Sequence, residues 1–326
     1  MTSEVLSIYR RPLPLRQGLA LVVRAVQDEA PGVRSVSLTA EDGTALPEFV
    51  PGSHLLVECG TKINAYSLTG SGIAPAEYSI SVQRQDGGSG GSWFVHQLQP
   101  GDRIQTSRPR NGFPPRATAT HHLLIAGGIG VTPVLSHVKA AEQWDHAFTV
   151  LYTFRDRTAP HLQELQDLCG DRLLERPGRE AFAQELSRLL SGQRMGTHLY
   201  VCGGNALIRS VLTTARELGW PEERLHYEIF DAEALDPGEP FVVDLERTGR
   251  EVLVPSGVSM LEALEDRGVM VPNMCRQGVC GECKISVTSG TPLHRDSYLS
   301  AEDKKTNDTT MPCVSRAVGD RLGVNL

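Results

Sequence analysis

Apolar and polar positions alternate in two rhythms along this chain, and the change of rhythm divides it. Up to about residue 118, apolar residues recur at every second position in short, turn-bounded runs, at Leu19–Val26, Val33–Leu38, His54–Cys59 and Tyr78–Arg84. Period-two alternation predicts half-buried strands, and the scarcity of helical periodicity predicts a small β-barrel or sandwich. From His122 the rhythm changes. His122-Leu123-Leu124-Ile125-Ala126 is a continuous apolar run, as expected of a parallel strand buried on both faces. The turn Gly127-Gly128-Ile129-Gly130-Val131-Thr132-Pro133 follows, then a helical stretch to about Glu142. The unit recurs as a strand over Ala147–Thr153 with helix from Thr158 onward. It recurs again as His198–Cys202, Gly203-Gly204 and a helix through about Leu218, so an α/β nucleotide-type domain is predicted.

A stretch rich in proline and acid, Asp231–Pro240, reads as a linker. Beyond it a hairpin is expected from Phe241, a helix over about Met260–Arg267, and then a cysteine-rich loop. The predicted organisation is therefore residues 1–118 as a β domain, 119–232 as an α/β domain, and 233–326 as linker plus a small C-terminal module. A chain of 326 residues is long enough for two or three hydrophobic cores.

The charge is −7 overall and unevenly spread. Residues 119–240 hold 11 Lys and Arg against 17 Asp and Glu, and residues 1–118 hold 11 against 10. Nucleic acid is not expected as a partner, and an anionic nucleotide must be held by local donors. No run of about 18 apolar residues occurs, and none follows Arg10 and Arg11, so neither a membrane span nor a signal peptide is predicted.

Cys275, Cys280, Cys283 and Cys313 follow C-x4-C-x2-C with a distant fourth cysteine, the plant-type spacing for a [2Fe–2S] cluster. Gly278 and Gly281 permit the tight path such a loop needs around two irons. Zinc is the alternative, although zinc ribbons present two C-x2-C hooks and this chain has one. Free thiolates suit a reducing cytoplasm. Cys59, Cys169 and Cys202 share no such pattern and read as buried structural side chains.

Three further elements are ambiguous taken singly. The Gly127 turn lacks a full G-x-G-x-x-G pattern, and many such turns bind nothing. Asn64-Ala65-Tyr66-Ser67-Leu68 is either a strand end or one edge of a flavin bed, where Tyr66 offers a flat face and Ser67 a hydrogen bond. Gly90-Gly91-Ser92-Trp93, in the glycine-serine cluster Gly87–Ser92, is either a flexible hairpin loop or a phosphate nest. No Ser/His/Asp or paired-carboxylate pattern appears, and the ten histidines show no metal-site spacing.

Taken in order, Tyr66-Ser67-Leu68, Gly127–Pro133, Tyr200-Val201-Cys202-Gly203-Gly204, His226-Tyr227-Glu228-Ile229-Phe230 and the cysteine loop resemble the phthalate dioxygenase reductase family, which includes vanillate O-demethylase reductases. The resemblance covers almost the whole chain. It implies a multidomain α+β and α/β protein with a ferredoxin-reductase-like β-barrel binding FMN, a Rossmann-like NAD domain, and a C-terminal β-grasp [2Fe–2S] ferredoxin domain. By the same resemblance Asn64, Ala65, Tyr66, Ser67, Ser81, Val82, Gly90, Gly91, Ser92 and Phe230 would border the flavin. Gly127, Gly128, Gly130 and Asp156 would hold the nucleotide, with Thr132, Cys202, Gly203 and Phe230 around the hydride-transfer point. Relatives carry Arg where this chain has Asn64, so Arg84 or Arg110 would have to supply the cation.

The implied activity is that of an NADH-dependent reductase component of a multicomponent oxygenase. NADH delivers two electrons at once and a [2Fe–2S] centre takes one, which calls for a flavin between them. The expected partner is a terminal oxygenase, Rieske-type in most of the family, and the expected state is a cytoplasmic monomer. A haem or di-iron monooxygenase is the alternative acceptor, and a non-enzymatic iron–sulfur redox sensor is the alternative role. Asp156, after the strand ending at Thr153, would favour NADH over NADPH by accepting from a ribose hydroxyl.

Overall fold

The computed structural model describes residues 18–60, 62–85, 90–155, 159–230, 238–273, 278, 281–296 and 298–326. These form two compact units, one of residues 18–230 and one of residues 238–326.

The first unit begins with seven strands: β1 (Leu19–Ala30), β2 (Val33–Ala40), β3 (Ser53–Cys59), β4 (Lys62–Ser67), β5 (Tyr78–Gln83), β6 (Arg103–Thr106) and β7 (Arg110–Asn111). Their order is β4-β3-β6-β1-β2-β5, with β7 beside β3. A bridge between Leu68 and Ile80 joins the two ends, so the sheet closes into a barrel. Alternation does the work the sequence implied: Ser53, Leu55, Val57 and Cys59 of β3 are buried while the residues between them are not. Leu21, Val36, Leu38, Leu55, Val57, Leu68, Tyr78 and Ile80 fill the interior. The glycine-serine cluster is no hairpin loop at its described end. Gly91 and Ser92 open a helix, Gly91–Gln97, that seats Val95 in the barrel core.

The second sheet of this unit is wholly parallel, from β8 (His121–Gly127), β9 (Phe148–Thr153), β10 (Leu173–Glu175), β11 (Thr197–Gly203) and β12 (Leu225–Ile229), ordered β10-β9-β8-β11-β12. The unbroken apolar run of β8 has a direct cause. Leu124 and Ala126 face the helices Val131–Gln143 and Leu162–Cys169, whereas Leu123 and Ile125 face Arg179–Ser191 and Asn205–Glu217. Both faces of the strand are therefore core. The helix after β9 starts at Leu162; Thr158, where the sequence pattern begins it, lies outside the described residues, Ala159 and Pro160 are not helical, and His161 holds a left-handed φ of 57°.

The C-terminal unit contains β13 (Phe241–Leu245), β14 (Arg250–Val254), β15 (Ile285–Leu293), β16 (Thr309–Thr310) and β17 (Arg316–Val324), ordered β14-β13-β17-β15-β16. β13 runs parallel to β17 and antiparallel to its hairpin partner β14, the mixed pairing of a β-grasp. The helix Met260–Asp266 opens on a capping box between Ser259 and Glu262 and buries Met260, Leu261, Ala263 and Leu264 against this sheet. A second short helix, Ala301–Thr306, has its own box between Ser300 and Asp303; it has too few apolar positions for periodicity to announce it. No helix among the described residues is long and apolar enough to cross a membrane.

Candidate functional site

In the parallel sheet the chain runs from β8 outward to β9 and β10, then returns to the other side of β8 for β11 and β12. The loops leaving β8 and β11 thus diverge, and the crevice between them is where open α/β sheets bind ligands. Both glycine turns end there. A Cβ on Gly203 would lie 3.2 Å from the Gly127 Cα, and one on Gly127 would lie 2.3 Å from Leu207 Cδ2. A Cβ on Gly130 would come within 2.3 Å of the Cys202 carbonyl oxygen. These three glycines let the turns pack on one another. Gly128 differs: its φ is 53°, and a Cβ there would meet open space, so this backbone is the part a ligand can approach.

Thr132 is buried just inside the helix, and its hydroxyl donates to the Ile129 carbonyl at 3.0 Å, fixing the turn. Cys202 lies wholly inside the sheet. Burial, with the Glu228 carboxyl as a second cause, pushes its thiol well up, so it is a protonated packing group. Glu228 pairs with Cys202 across β12 and β11. Burial pushes its carboxyl up to about 8, and among the described residues its Oε2 has no hydrogen-bond partner. A neutral buried acid beside the crevice is a site residue that period-two reading does not reveal, since a glutamate in a strand normally marks the wet face. Phe230 follows β12 and is 37% exposed.

The barrel presents β4 and β5. Asn64 and Tyr66 lie opposite Val57 and Leu55 of β3, which places both on the row that faces inward. The Asn64 side chain lies against the start of the Gly91–Gln97 helix: a Cβ on Gly91 would come within 2.2 Å of Asn64 Oδ1. That oxygen is buried and has no hydrogen-bond partner among the described residues, as fits a position meant to meet a polar group of a bound ligand. Burial pushes the Tyr66 phenol up, and its ring packs at the rim of the core. Ala65 is exposed and Ser67 buried on the opposite row. Ser92 accepts from the Gln85 amide at 3.1 Å, tying the helix to the end of β5, and Gly90 before it holds a φ of 94°. Ser81 points away from the core, while Val82 points into it. The Gly128–Gly130 turn lies against β5, so the crevice opens toward this strand.

In the C-terminal unit the Sγ atoms of Cys283 and Cys313 lie 3.2 Å apart, close together yet far beyond a disulfide bond of about 2.05 Å. Gly278 and Gly281 hold φ of 71° and 81°. A Cβ on Gly278 would meet Val314 Cγ2 at 2.5 Å, and one on Gly281 would meet the Tyr298 ring at 2.2 Å. Neither position has the φ or the space for a side chain. Two converging sulfurs, near in sequence to two glycines that admit no side chain, fit a metal–sulfur group. Cys275, Cys280 and Asp156 lie outside the described residues.

A flavin-type barrel followed by a Rossmann-like sheet and a β-grasp ferredoxin module defines a modular electron-transfer oxidoreductase. Two domain profiles agree with that order: "Dimethylamine monooxygenase subunit DmmA-like, N-terminal domain" matches residues 103–225, and "2Fe-2S iron-sulfur cluster binding domain" matches residues 243–318. The chain is 38% identical over 307 residues to the heme-dependent oxidative N-demethylase beta subunit of Ectopseudomonas mendocina, covering 93% of this chain and 97% of that one. It is 35% identical over 317 residues to the vanillate O-demethylase oxidoreductase of a Pseudomonas species, covering 94% and 100%. The solved phthalate dioxygenase reductase superposes with a TM-score of 0.69 at 32% identity, over 95% of this chain and 98% of that one. A self-sufficient cytochrome P450 monooxygenase superposes at 0.71, but this chain spans only 43% of its length. This chain belongs to the phthalate dioxygenase reductase family. It is an NAD-dependent oxidoreductase with a flavin and a [2Fe–2S] cluster.

Proposed function

We propose that this protein is the reductase component of a multicomponent oxygenase, passing electrons from NADH to a separate terminal oxygenase. The observation that carries this reading is the meeting of the two glycine turns at the β8/β11 crevice, directly against the β5 strand of the barrel. When bound, the flavin accepts a hydride and releases electrons singly. The chain's own residues orient the reactants. Gly127, Gly128 and Gly130 form the turn that holds the nucleotide, with Gly128 the part open to it; Thr132 and Gly203 line the nicotinamide end, and Phe230 covers the flavin with Tyr66. Asn64, Ala65, Ser67, Ser81, Val82, Gly90, Gly91 and Ser92 hold FMN, and Cys275, Cys280, Cys283 and Cys313 ligate the cluster. Cys202 keeps the turn packed as a neutral thiol. The modules divide at residues 118 and 232, and the protein acts as a cytoplasmic monomer that prefers NADH through Asp156.

The acceptor is a Rieske-type oxygenase by family resemblance. A haem-dependent oxygenase is the second reading, favoured by the Ectopseudomonas relative, which is named for a heme-dependent N-demethylation. The test is to supply NADH and measure cytochrome c reduction, then electron delivery to a Rieske and a haem oxygenase in parallel. Rapid cytochrome c reduction supports a reductase. Absence of NADH oxidation with intact cofactors would leave the redox-sensor role instead.

A further inference from the structure

A line of hydrogen bonds crosses from the barrel to the nucleotide-binding sheet at a point the reaction does not obviously need. Ser35 Oγ lies 2.6 Å from Ser81 Oγ, and Ser81 Oγ lies 2.7 Å from His161 Nε2. His161 Nδ1 is 3.0 Å from Glu164 Oε2. Lys139 Nζ is 2.7 Å from Glu164 Oε1 and donates to the Thr69 carbonyl at 2.9 Å, returning the line to the barrel. The line is satisfied when Ser35 donates to Ser81, Ser81 donates to His161 Nε2, and His161 Nδ1–H donates to the Glu164 carboxylate, which also accepts from Lys139; Glu29 Oε2 lies 3.8 Å from the same Nδ1. Hydrogen bonds from His161 and Lys139 hold the Glu164 carboxyl down near 2 against the opposing effect of its burial, as an ionised acceptor requires.

The two ends of this line are not arbitrary. Ser81 sits on β5 beside Val82, the strand proposed to hold the flavin. His161 is 8% exposed and adopts φ 57°, a left-handed conformation that a non-glycine residue keeps only where its surroundings enforce it. Those surroundings include Tyr152, whose hydroxyl reaches both the Pro160 carbonyl at 3.0 Å and the Gly128 carbonyl at 3.3 Å. A continuous path thus runs from the glycine turn through Tyr152, Pro160 and His161 to Ser81.

We propose that His161 is a positioning residue for hydride transfer, a latch that fixes the nucleotide turn relative to the flavin strand. This rests on the reductase reading and on Ser81 and Val82 bordering the flavin. His161 acts through Ser81, which borders the flavin, and not on either reactant directly; it sets the separation and angle between the two elements that hold them, and small misplacements of that kind cost rate steeply. The barrel and the sheet have further contacts of their own, such as the Gly52 amide donating to Ser136 Oγ at 2.9 Å, so breaking the latch loosens the junction without separating it.

The experiment compares His161→Ala, His161→Gln and Ser81→Ala with wild type in FMN-loaded full-length protein. NADH reduction of the flavin is followed by stopped flow, and unfolding is followed separately by flavin fluorescence and by circular dichroism. The expected result for His161→Ala is a fall of about tenfold in the limiting reduction rate with the NADH concentration for half-maximal rate within about twofold of wild type. The gap between its two unfolding midpoints should be wider than in wild type. Ser81→Ala should reproduce both effects, and His161→Gln, which retains a donor and an acceptor, should restore part of the rate. A rate equal to wild type in His161→Ala overturns the proposal. So does weaker NADH binding that accounts for all the loss, or lowered stability with an unchanged reduction rate. If NADH reduces no flavin even in the wild type, the reductase reading itself fails.

Discussion

Cys283 and Cys313 are thirty residues apart in sequence, yet their sulfurs lie 3.2 Å apart, one at the end of the cysteine loop and the other just before β17. The β-grasp core makes this approach, since both side chains belong to the same buried cluster as Met311, Val314 and Leu264. Cys283→Ser should therefore abolish the cluster while leaving the first unit intact. Iron and acid-labile sulfide should be lost, NADH should still reduce the flavin, and transfer to cytochrome c should fall by at least about tenfold. Cytochrome c reduction near the wild-type rate in a protein without iron would exclude a route through the cluster.

Gly130→Ala tests the close packing of the two glycine turns. The added Cβ would meet the carbonyl of Cys202, a backbone atom that cannot rotate away. Overpacking of this kind costs about 1–3 kcal/mol, to be read as a lower urea midpoint with an unchanged denaturant slope. Gly128→Ala, where space is open but φ is positive, should perturb nucleotide affinity more than Gly130→Ala does relative to its effect on stability.

A column of aromatic and imidazole rings at the N-terminal end of the parallel sheet makes the fold acid-sensitive. His146 stacks on His122, His122 packs edge-on against Tyr200, and Tyr200 stacks on His226 at 4.6 Å. Burial lowers His122 to about 4 and both His137 and His226 to about 3. The unfolded chain takes up these protons as the pH falls through about 6.5, and the native state resists until near 4 and 3. Stability is thus fully present above about 6.5 and is lost as the pH falls below it. His137→Gln keeps a donor for the Phe113 carbonyl but cannot titrate. Its free energy of unfolding between about pH 6.5 and 4 should depend on pH by about one proton less than wild type.

Glu228 acts with the opposite sign. Its native carboxyl stays neutral to about 8, whereas in the unfolded chain it ionises near 4.5. Holding it neutral therefore costs stability increasingly as the pH rises from 4.5 to 8. Glu228→Gln should raise the melting temperature relative to wild type, and the gap should widen between about pH 5 and pH 8. A constant gap would mean that the acid is ionised in the native state.

Asn64→Arg puts the cation that the family resemblance leads one to expect beside the start of the Gly91–Gln97 helix. A charge-assisted contact to the flavin phosphate contributes about 1.5–3 kcal/mol, equivalent to a tenfold to hundredfold tighter retention of FMN on dialysis. Unchanged retention would assign the cationic role to another residue such as Arg110, which lies on β7 opposite His54 of β3.

Local order was legible in the sequence because it depends on local rules. Period-two runs found β1, β2, β3 and β5, the apolar run found β8, and the cysteine spacing pointed to an iron–sulfur module in the region that the 2Fe-2S domain profile matches. The short helices Gly91–Gln97 and Ala301–Thr306 escaped because one turn or two cannot display a period, and because glycine and serine at a helix start look like a loop. What the tertiary structure alone decided was proximity. Nothing in the spacing of Gly130 and Cys202, or of Ser81 and His161, says that they meet; strand order β10-β9-β8-β11-β12 brings the first pair together, and the seating of the barrel on that sheet brings the second. The protonation of Glu228 likewise belongs to the fold, since a carboxyl's charge is set by how much water its neighbours exclude, and a sequence names the neighbours in the chain but not those in space.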